Sequence, residues 1–276
     1  SGKSAIAATL AREMGAWILS ADSMLVYRGM DIGTAKPPRE EIEEFHMGGV
    51  DVVTPAEEFS SGAWLRAAAE WVVRYISHFS EGLPHPDRID YLWITHLHAD
   101  HVGIATMMKP GDKGYGVCGV MRAGDFFKFG KIVDRAYPDY DFPSREFIQK
   151  KCLGPLLENY IKFVGYQKEH YGCDPQAFVV GSNRQFVLKN NPKAFKGFQI
   201  RNLACSGEIW TGKGLKTRKM YKGDIQLFDE NVLSGVIRLD YGKFSYYNGG
   251  DLGGGNHHYK CRERDMETAV GELCGP

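Results

Sequence analysis

One apolar run in this sequence leads directly into a dense cluster of potential metal ligands. Residues 89–94 have the length and composition of a buried β-strand, and the polar segment THLHADH follows at residues 95–101. Imidazole and carboxylate groups at this density suit zinc or a similar metal ion, and loops on a stiff scaffold hold such groups well. The pattern predicts a metal site at the end of a strand. A chance cluster on a solvated loop is the alternative interpretation.

The order H-x-H-x-D-H resembles the signature loop of the metallo-β-lactamase-fold hydrolases. In that family the first two histidines bind one metal ion, and the aspartate and the last histidine bind a second. The resemblance implies that His96 and His98 hold the first ion, and that Asp100 and His101 hold the second. It also implies two Zn²⁺ ions, with Mn²⁺ as the other candidate metal, and a catalytic role for Asp100 in orienting the nucleophile.

The second half of the chain is rich in predicted strands. Apolar segments separated by tight turns lie at residues 186–188, 198–204, 225–228, 236–241 and 244–247. This half matches one sheet of the αβ/βα sandwich that the resemblance implies. Before it, residues 144–168 carry an apolar stripe at helical spacing, which predicts a core helix interrupted by Gly154-Pro155.

Asp251 is the predicted bridging ligand between the two metal ions. It follows the last of these strands in a Gly-Asp pair, which resembles the branch of the hydrolase family that includes competence-type DNA-uptake domains. An Asp between glycines is otherwise a common turn residue. His170, His257 and His258 are further candidate ligands, although an exposed helix end or a flexible loop explains them as well.

A different motif opens the chain. Gly2-Lys3-Ser4 matches the last part of a phosphate-binding loop, and the helix predicted over residues 5–14 would present its N-terminal amides to an anion. The longer run 21–37 resembles the tRNA dimethylallyltransferases, which place an isopentenyl group on an adenine beside the anticodon. The likeness extends to about residue 69. It implies that Lys3 and Ser4 bind the pyrophosphate and its Mg²⁺, and that Asp22 is the general base at the adenine amine.

This second resemblance departs from its family at two points. Leu25 stands where the family usually has Gln, which removes a polar contact near the base. The upstream half of the phosphate loop is also missing from the sequence. Since the backbone N–H groups of that loop form the anion cradle, Lys3 without them is a tethered point charge.

The two resemblances do not overlap along the chain. Residues 1–73 are predicted to form a partial P-loop α/β unit, and residues 74–276 an incomplete metallo-β-lactamase-type sandwich, so the overall class is α/β. A helix predicted over residues 62–79 would begin in one segment and finish in the other. The interpretation is a chimeric chain whose hydrolase part is truncated at both ends. A genuine bifunctional protein is the alternative.

Composition limits the choice of partners. Lys and Arg number 34, and so do Asp and Glu, so the basic excess typical of proteins that grip many phosphates is absent. The basic stretch 216–222 is predicted to be a solvated hairpin. Six cysteines without paired spacing argue against a zinc ribbon and favour buried thiols in a reducing, cytoplasmic setting. No apolar run is long enough to predict a membrane segment.

The sequence alone therefore favours a metal-dependent hydrolase of a small-molecule or phosphodiester substrate. A metal-bound water would attack the carbonyl or phosphoryl centre. The first alternative is prenyl transfer from a prenyl pyrophosphate to tRNA by Lys3, Ser4 and Asp22. The second is a non-catalytic chimeric fragment. Metal content separates the hydrolase from the other two.

Overall fold

The chain divides into two compact units, Ser1–Asp87 and Arg88–Pro276, in a computed structural model that describes residues 2–221, 223–225, 229–253 and 266–274. The predicted junction at residue 73 falls inside a continuous helix of the first unit. The separate origin of residues 1–73 and 74–276 stays a prediction.

The described residues of the first unit form three helices and two isolated parallel bridges. The helices are α1 (Gly2–Met14), α2 (Arg39–Glu44) and α3 (Ser61–Ser80), and the bridges join Leu19 to Gly48 and Tyr27 to Val53. A small core forms where Ala8 and Ala11 of α1 pack against Phe45. Residues 17–20 form a single bridge at Leu19 rather than a strand, and no second strand runs alongside them in the described residues.

Helix α3 confirms the prediction of a helix over residues 62–79. The Ser60 side chain accepts a hydrogen bond from the Ala63 N–H at 3.2 Å, which satisfies one of the free amides of the first turn. Further along, Trp71 stacks on Tyr75 with ring centroids 5.5 Å apart. A Cβ at Gly48 would lie 2.3 Å from the Trp71 ring, so only glycine permits this approach of α3 to the bridge.

The second unit contains two sheets. Strands β1 (Arg88–Trp93), β2 (Lys128–Asp134) and β3 (Asp174–Ala177) form a parallel sheet in that order. An antiparallel sheet has the order β6-β5-β4-β7-β8, built from β4 (Gln199–Cys205), β5 (Glu208–Trp210), β6 (Thr217–Lys219), β7 (Val236–Tyr241) and β8 (Phe244–Asn248). The helices of this unit are α4 (Ala99–Val102), α5 (Gly119–Ala123), α6 (Arg145–Lys151), α7 (Leu156–Tyr171) and α8 (Met266–Cys274).

Both sheets contribute to one hydrophobic cluster. Val133 of β2 packs with Cys205 of β4 and Ile237 of β7, and Phe178 and Phe186 complete the group. Helix α7 packs against β2, and the predicted apolar stripe on it is buried: Leu156, Tyr160 and Phe163 are fully inaccessible. The predicted interruption is also confirmed, since the chain forms two helices, α6 and α7, separated by Gly154-Pro155.

One strand prediction needs correction, and another falls largely outside the described residues. Residues 186–188 form no strand, although Phe186 reaches the core; a short apolar run does not distinguish a strand from a buried loop. Residues 226–228 lie outside the described residues. The basic stretch, in contrast, forms the exposed second strand of the β5–β6 hairpin as predicted, as far as it is described.

The predicted α/β class is confirmed by this mixture of parallel and antiparallel sheets with helices. The narrower prediction of a metallo-β-lactamase sandwich stays a prediction. Among the described residues, no helix is both long enough and apolar enough to cross a membrane.

Candidate functional site

The segment between β1 and α4 carries the predicted metal ligands. The Ile94 N–H donates to Val133 O at 2.9 Å, which continues the pairing with β2 beyond the end of β1. Helix α4 follows at once and closes with the Gly103 N–H bonded to Ala99 O at 2.7 Å. Residues 103–109 therefore form no α-helix; α4 ends before Gly103, and a 3₁₀ turn follows at Ala105–Met107.

Three side chains converge beside this segment in what we call the histidine cluster: His96, His101 and Asp251. Each offers one ligand atom, and these atoms all lie within 4.8 Å of one another. His101 Nε2 is 3.2 Å from Asp251 Oδ2, and His96 Nε2 is 3.9 Å from the same oxygen. This spacing brings nitrogen and oxygen donors near one point, as a metal site requires.

The other two predicted ligands lie at the edge of the histidine cluster. His98 Nδ1 is 3.1 Å from His96 Nε2, and His98 Nε2 is 3.7 Å from Asp229 Oδ1. Asp100 is largely exposed and lies 3.5 Å from His101 Nε2. All five predicted ligands are thus close together. The division into a His96–His98 pair and an Asp100–His101 pair stays a prediction.

Asp251 reaches the cluster through a tight turn after β8. Gly250 has a φ of +55°, and a Cβ at that position would lie 2.8 Å from the Thr95 Cβ. The Gly250 N–H donates to the Asn248 side chain at 3.0 Å, which holds the turn closed. A glycine before Asp251 therefore allows the turn to approach the histidine-bearing segment.

A buried ion pair is hydrogen-bonded to the backbone segment that carries the histidine cluster. Arg135 and Glu230 have fully buried side chains, and Arg135 Nε donates to Glu230 Oε1 at 2.6 Å. The same carboxylate oxygen accepts the Leu97 N–H at 2.7 Å. Leu97 lies between His96 and His98 in the sequence. The hydrogen bond from its N–H to Glu230 therefore fixes the backbone that carries both histidine rings. Sequence reasoning missed this pair, because its members lie far from residue 97 along the chain.

His96 is held in its neutral form. Burial lowers its pKa to about 4, with further lowering by the nearby His101 and His98 rings. Its Nδ1 lies 3.2 Å from the Thr95 hydroxyl, while its Nε2 lies 3.1 Å from His98 Nδ1 and 3.9 Å from Asp251 Oδ2. A neutral imidazole whose second nitrogen is hydrogen-bonded is the form that ligates metal ions.

The predicted transferase residues lie in the first unit. Asp22 is exposed, and its Oδ1 accepts the Met24 N–H at 2.8 Å, an arrangement that closes a turn after Ser20. Ser4 is exposed in the first turn of α1, and the Lys3 side chain lies outside the described residues. Among the described residues, no hydrogen bond joins Asp22 to Ser4.

Two neighbours of Asp22 show how this segment is held. Leu25, which stands where the resemblance suggests Gln, is buried and so belongs to the core of the unit. Lys36 is also buried, and its ammonium group donates to Tyr27 O, Asp31 Oδ1 and Asp51 Oδ1 at 2.7–2.8 Å. Burial opposes the charge of Lys36, but the two carboxylates outweigh it and raise the pKa. Sequence reasoning did not single out Lys36.

The remaining candidate ligands do not join the histidine cluster. His170 is exposed at the end of α7, where its ring lies 4.1 Å from that of Tyr166. This is the exposed helix end that the sequence offered as the alternative for His170. His257 and His258 lie outside the described residues.

Comparison with known proteins places the first unit in a family context. A family model described as IPP transferase matches residues 25–79. Residues 25–79 are similar to an IPP transferase. The tRNA dimethylallyltransferase of Desulforudis audaxviator is 46% identical over 72 residues, which are 26% of this chain and 23% of the relative. That of Burkholderia thailandensis is 47% identical over 78 residues, or 27% and 24%.

A third relative, the tRNA dimethylallyltransferase of Geobacter metallireducens, is 52% identical over 61 residues, which are 22% of this chain and 20% of the relative. The chain thus spans about a quarter of the length of these relatives. No solved structure matches it. The family match includes residues 74–79, which were predicted to belong to the hydrolase-like segment.

These matches overturn the main functional prediction. They are matches to IPP transferase and to tRNA dimethylallyltransferases, give no support to a metallo-β-lactamase segment, and so make the prediction of a metal-dependent hydrolase wrong. The predicted Zn²⁺ and Mn²⁺ cofactors of that hydrolase are wrong for the same reason. A local set of metal-ligand atoms can occur on unrelated folds, so the motif alone does not define a reaction.

Proposed function

We propose that the first unit belongs to a tRNA prenyltransferase, with tRNA and a prenyl pyrophosphate as its substrates. The observation that carries this proposal is the match of residues 25–79 to IPP transferase, supported by relatives 43–52% identical that are named tRNA dimethylallyltransferase. Since the chain covers about a quarter of those relatives, the unit would supply part of the substrate site.

Three residues take roles in this proposal. Asp22 is the general base: one carboxylate oxygen is used in the turn with Met24, and its exposure leaves the other oxygen accessible to an adenine amine. Lys3 and Ser4 stand at the start of α1, where free backbone amides favour an anion. With Mg²⁺, they would bind the pyrophosphate.

The test is prenyl transfer by the full chain to an anticodon stem-loop RNA, with dimethylallyl pyrophosphate and Mg²⁺. RNA mass and released pyrophosphate are the readouts. Asp22→Asn should lower the rate by about 100-fold or more, as expected for loss of a general base. Glu58→Gln is the matched control, because Glu58 is an exposed acid of the same unit. A chain that neither transfers the prenyl group nor binds dimethylallyl pyrophosphate would refute the proposal.

A second proposal is limited to cation binding in the second unit. The observation that favours it is the convergence of His96, His101 and Asp251, with His98 and Asp100 beside them. We infer that this cluster binds one divalent metal ion through imidazole nitrogens and a carboxylate oxygen. No reaction is assigned to it.

Cobalt(II) is the probe for this second proposal, because its visible absorption reports nitrogen and oxygen ligation. The full chain should bind about one equivalent, and His96→Ala should lose at least about 10-fold in affinity. His170→Ala is the matched control, since His170 is a histidine of the same unit outside the cluster. Equal Co²⁺ affinity in His96→Ala and His170→Ala would contradict the assignment.

A further inference from the structure

A surface at one end of the antiparallel sheet combines exposed aromatic rings with lysines. Part of it comes from the segment before β4, and part from the β7–β8 hairpin. We call it the basic aromatic patch and define it by Lys193, Phe195, Lys196, Phe198, Tyr241, Lys243, Phe244 and Tyr246.

The rings of the patch are close to one another. The Phe195 and Phe198 centroids lie 6.3 and 6.5 Å from that of Tyr241. Tyr241 is paired directly with Phe244 across the β7–β8 ladder, so the two side chains stand on the same face of the sheet. Tyr246 lies two residues further along β8 and therefore shares that face. Tyr241 thus links the segment before β4 to the aromatic face of the β7–β8 hairpin.

These rings are unusually exposed. The exposed fraction is 61% for Phe244, 47% for Tyr246, 46% for Phe195 and 43% for Tyr241. Aromatic side chains normally contribute large buried areas to a fold, and single exposed ones need no explanation. Three of these rings share one face of the sheet and the fourth, Phe195, lies beside Tyr241, so together they offer an exposed apolar surface of the kind that marks a binding site.

The charge around these rings is positive. Lys193, Lys196 and Lys243 are exposed, and among the described residues no ion pair is formed by any of them. The acidic side chain on the same hairpin, Asp240, accepts hydrogen bonds from Arg238 at 2.9 Å and from Ser245 at 2.6 Å. The patch is therefore locally basic in a chain whose formal net charge is zero.

Exposed rings flanked by lysines complement a single-stranded nucleic acid. Bases stack on aromatic rings, and the phosphates between them pair with lysine ammonium groups. A purely apolar partner would leave the lysines without counter-charges, and a duplex would keep its bases out of reach of the rings. We propose that the basic aromatic patch binds single-stranded nucleic acid by base stacking and phosphate contacts. This proposal does not depend on prenyl transfer by the first unit.

The test uses the full chain and two fluorescein-labelled strands of about 15 nucleotides, oligouridine and oligothymidine, followed by fluorescence anisotropy. Both should bind, and raising the salt roughly fourfold should weaken binding by roughly 20-fold if three lysines contact phosphates. Phe244→Ala should lower affinity by roughly 5- to 100-fold through loss of one stacked base. Because Phe244 is exposed, the fold should be retained, and circular dichroism checks this.

Two double variants with reversed charges distinguish binding at the patch from attraction by the overall charge of the protein. Lys193→Glu with Lys243→Glu should weaken binding at least about 10-fold. Lys213→Glu with Lys216→Glu, on exposed residues of the β5–β6 turn, changes the net charge equally and should have little effect. Preference for oligouridine would support RNA as the occupant, and preference for oligothymidine would support DNA.

Three outcomes would overturn the proposal. One is absence of binding to either strand at low salt. Another is an equal loss in the two double variants, which would show that binding is not localised to the patch. The third is self-association that Phe244→Ala abolishes without any oligonucleotide binding, because the occupant would then be a second copy of the chain.

Discussion

Single residues in this protein show how strongly a buried charge depends on its partners. Glu230 is fully buried and accepts hydrogen bonds from Arg135, from the Leu97 N–H and from the Cys152 thiol, whose sulfur is 3.1 Å away. Its carboxylate raises the pKa of Cys152, although burial is the larger cause. The free energy of such a pair depends on both charges being present, because removing one leaves the other buried without compensation.

Replacing Glu230 by Gln should therefore destabilise the second unit. We expect a loss of about 3–5 kcal/mol in the free energy of unfolding, because the Arg135 guanidinium would stay buried without its carboxylate. Urea denaturation followed by circular dichroism measures this loss. Glu169→Gln removes the same charge from an exposed position on α7 and should change stability by less than about 0.5 kcal/mol. Equal midpoints for the two variants would contradict the expectation.

The predictability of the candidate site also differs from residue to residue. His96, His98 and His101 lie within six positions, so the cluster was visible in the sequence. Asp251 was reached through a resemblance in its Gly-Asp turn. Arg135 and Glu230 gave no such signal, because they act on Leu97 from 38 and 133 positions away along the chain. Long-range hydrogen bonds leave no periodic pattern in a sequence.

At the scale of elements, local patterns predicted long elements better than short ones. The apolar stripe of α7 and its interruption at Gly154-Pro155 depend on residues within a few turns of one another. The three-residue strand at Glu208–Trp210 depends on a partner strand and was missed as a separate element. The short apolar run at 186–188 was predicted as a strand, but its buried Phe186 belongs to a loop. Short strands are defined by pairing, which a single segment does not contain.

Two glycines in helices should respond to the same substitution in opposite directions. Gly119 begins α5 with a φ of +49°, and a Cβ there would lie 2.1 Å from Val102 O at the end of α4. Gly119→Ala should therefore lower the free energy of unfolding by about 1–3 kcal/mol. Gly165, on α7, has open space around its Cα, so Gly165→Ala should raise it by about 0.5–1 kcal/mol. Urea denaturation of both variants measures the two shifts.

The Gly119 variant should also weaken Co²⁺ binding, since α4 carries His101. Displacement of α4 by even a fraction of an ångström would move that ring relative to Asp251. A Gly119→Ala protein as stable as the wild type would contradict the steric conflict expected at Gly119. A destabilised Gly165→Ala protein would contradict the open space around Gly165.

At the scale of the whole molecule, each unit has its own core. Ala8, Ala11 and Phe45 pack together in the first unit, and Val133, Cys205 and Ile237 in the second. The family match ends at residue 79, eight positions before the end of the first unit at Asp87. The sequence correctly indicated the transferase resemblance in the first unit, but the metal-ligand motif in the second led to a wrong reaction. A fold and a set of metal-ligand atoms limit the reactions that a protein can catalyse, but they do not specify one reaction.

The two proposed sites should therefore fail independently. Every residue assigned to prenyl transfer lies in the first unit, and every residue of the histidine cluster lies in the second. Asp22→Asn should abolish prenyl transfer to the stem-loop RNA while leaving Co²⁺ affinity unchanged. His96→Ala should do the reverse. The two assays on the two variants give four values, with the wild-type chain as reference.

Loss of both properties in either variant would contradict this independence, provided that circular dichroism shows the variant to be folded. Loss of prenyl transfer in His96→Ala alone would assign the histidine cluster to the transferase reaction. The expected pattern has a physical basis, because Asp22 is exposed, and the polar neighbours of the buried His96 ring, the Thr95 hydroxyl and the His98 ring, remain in the His96→Ala protein. Each variant should thus report on its own site.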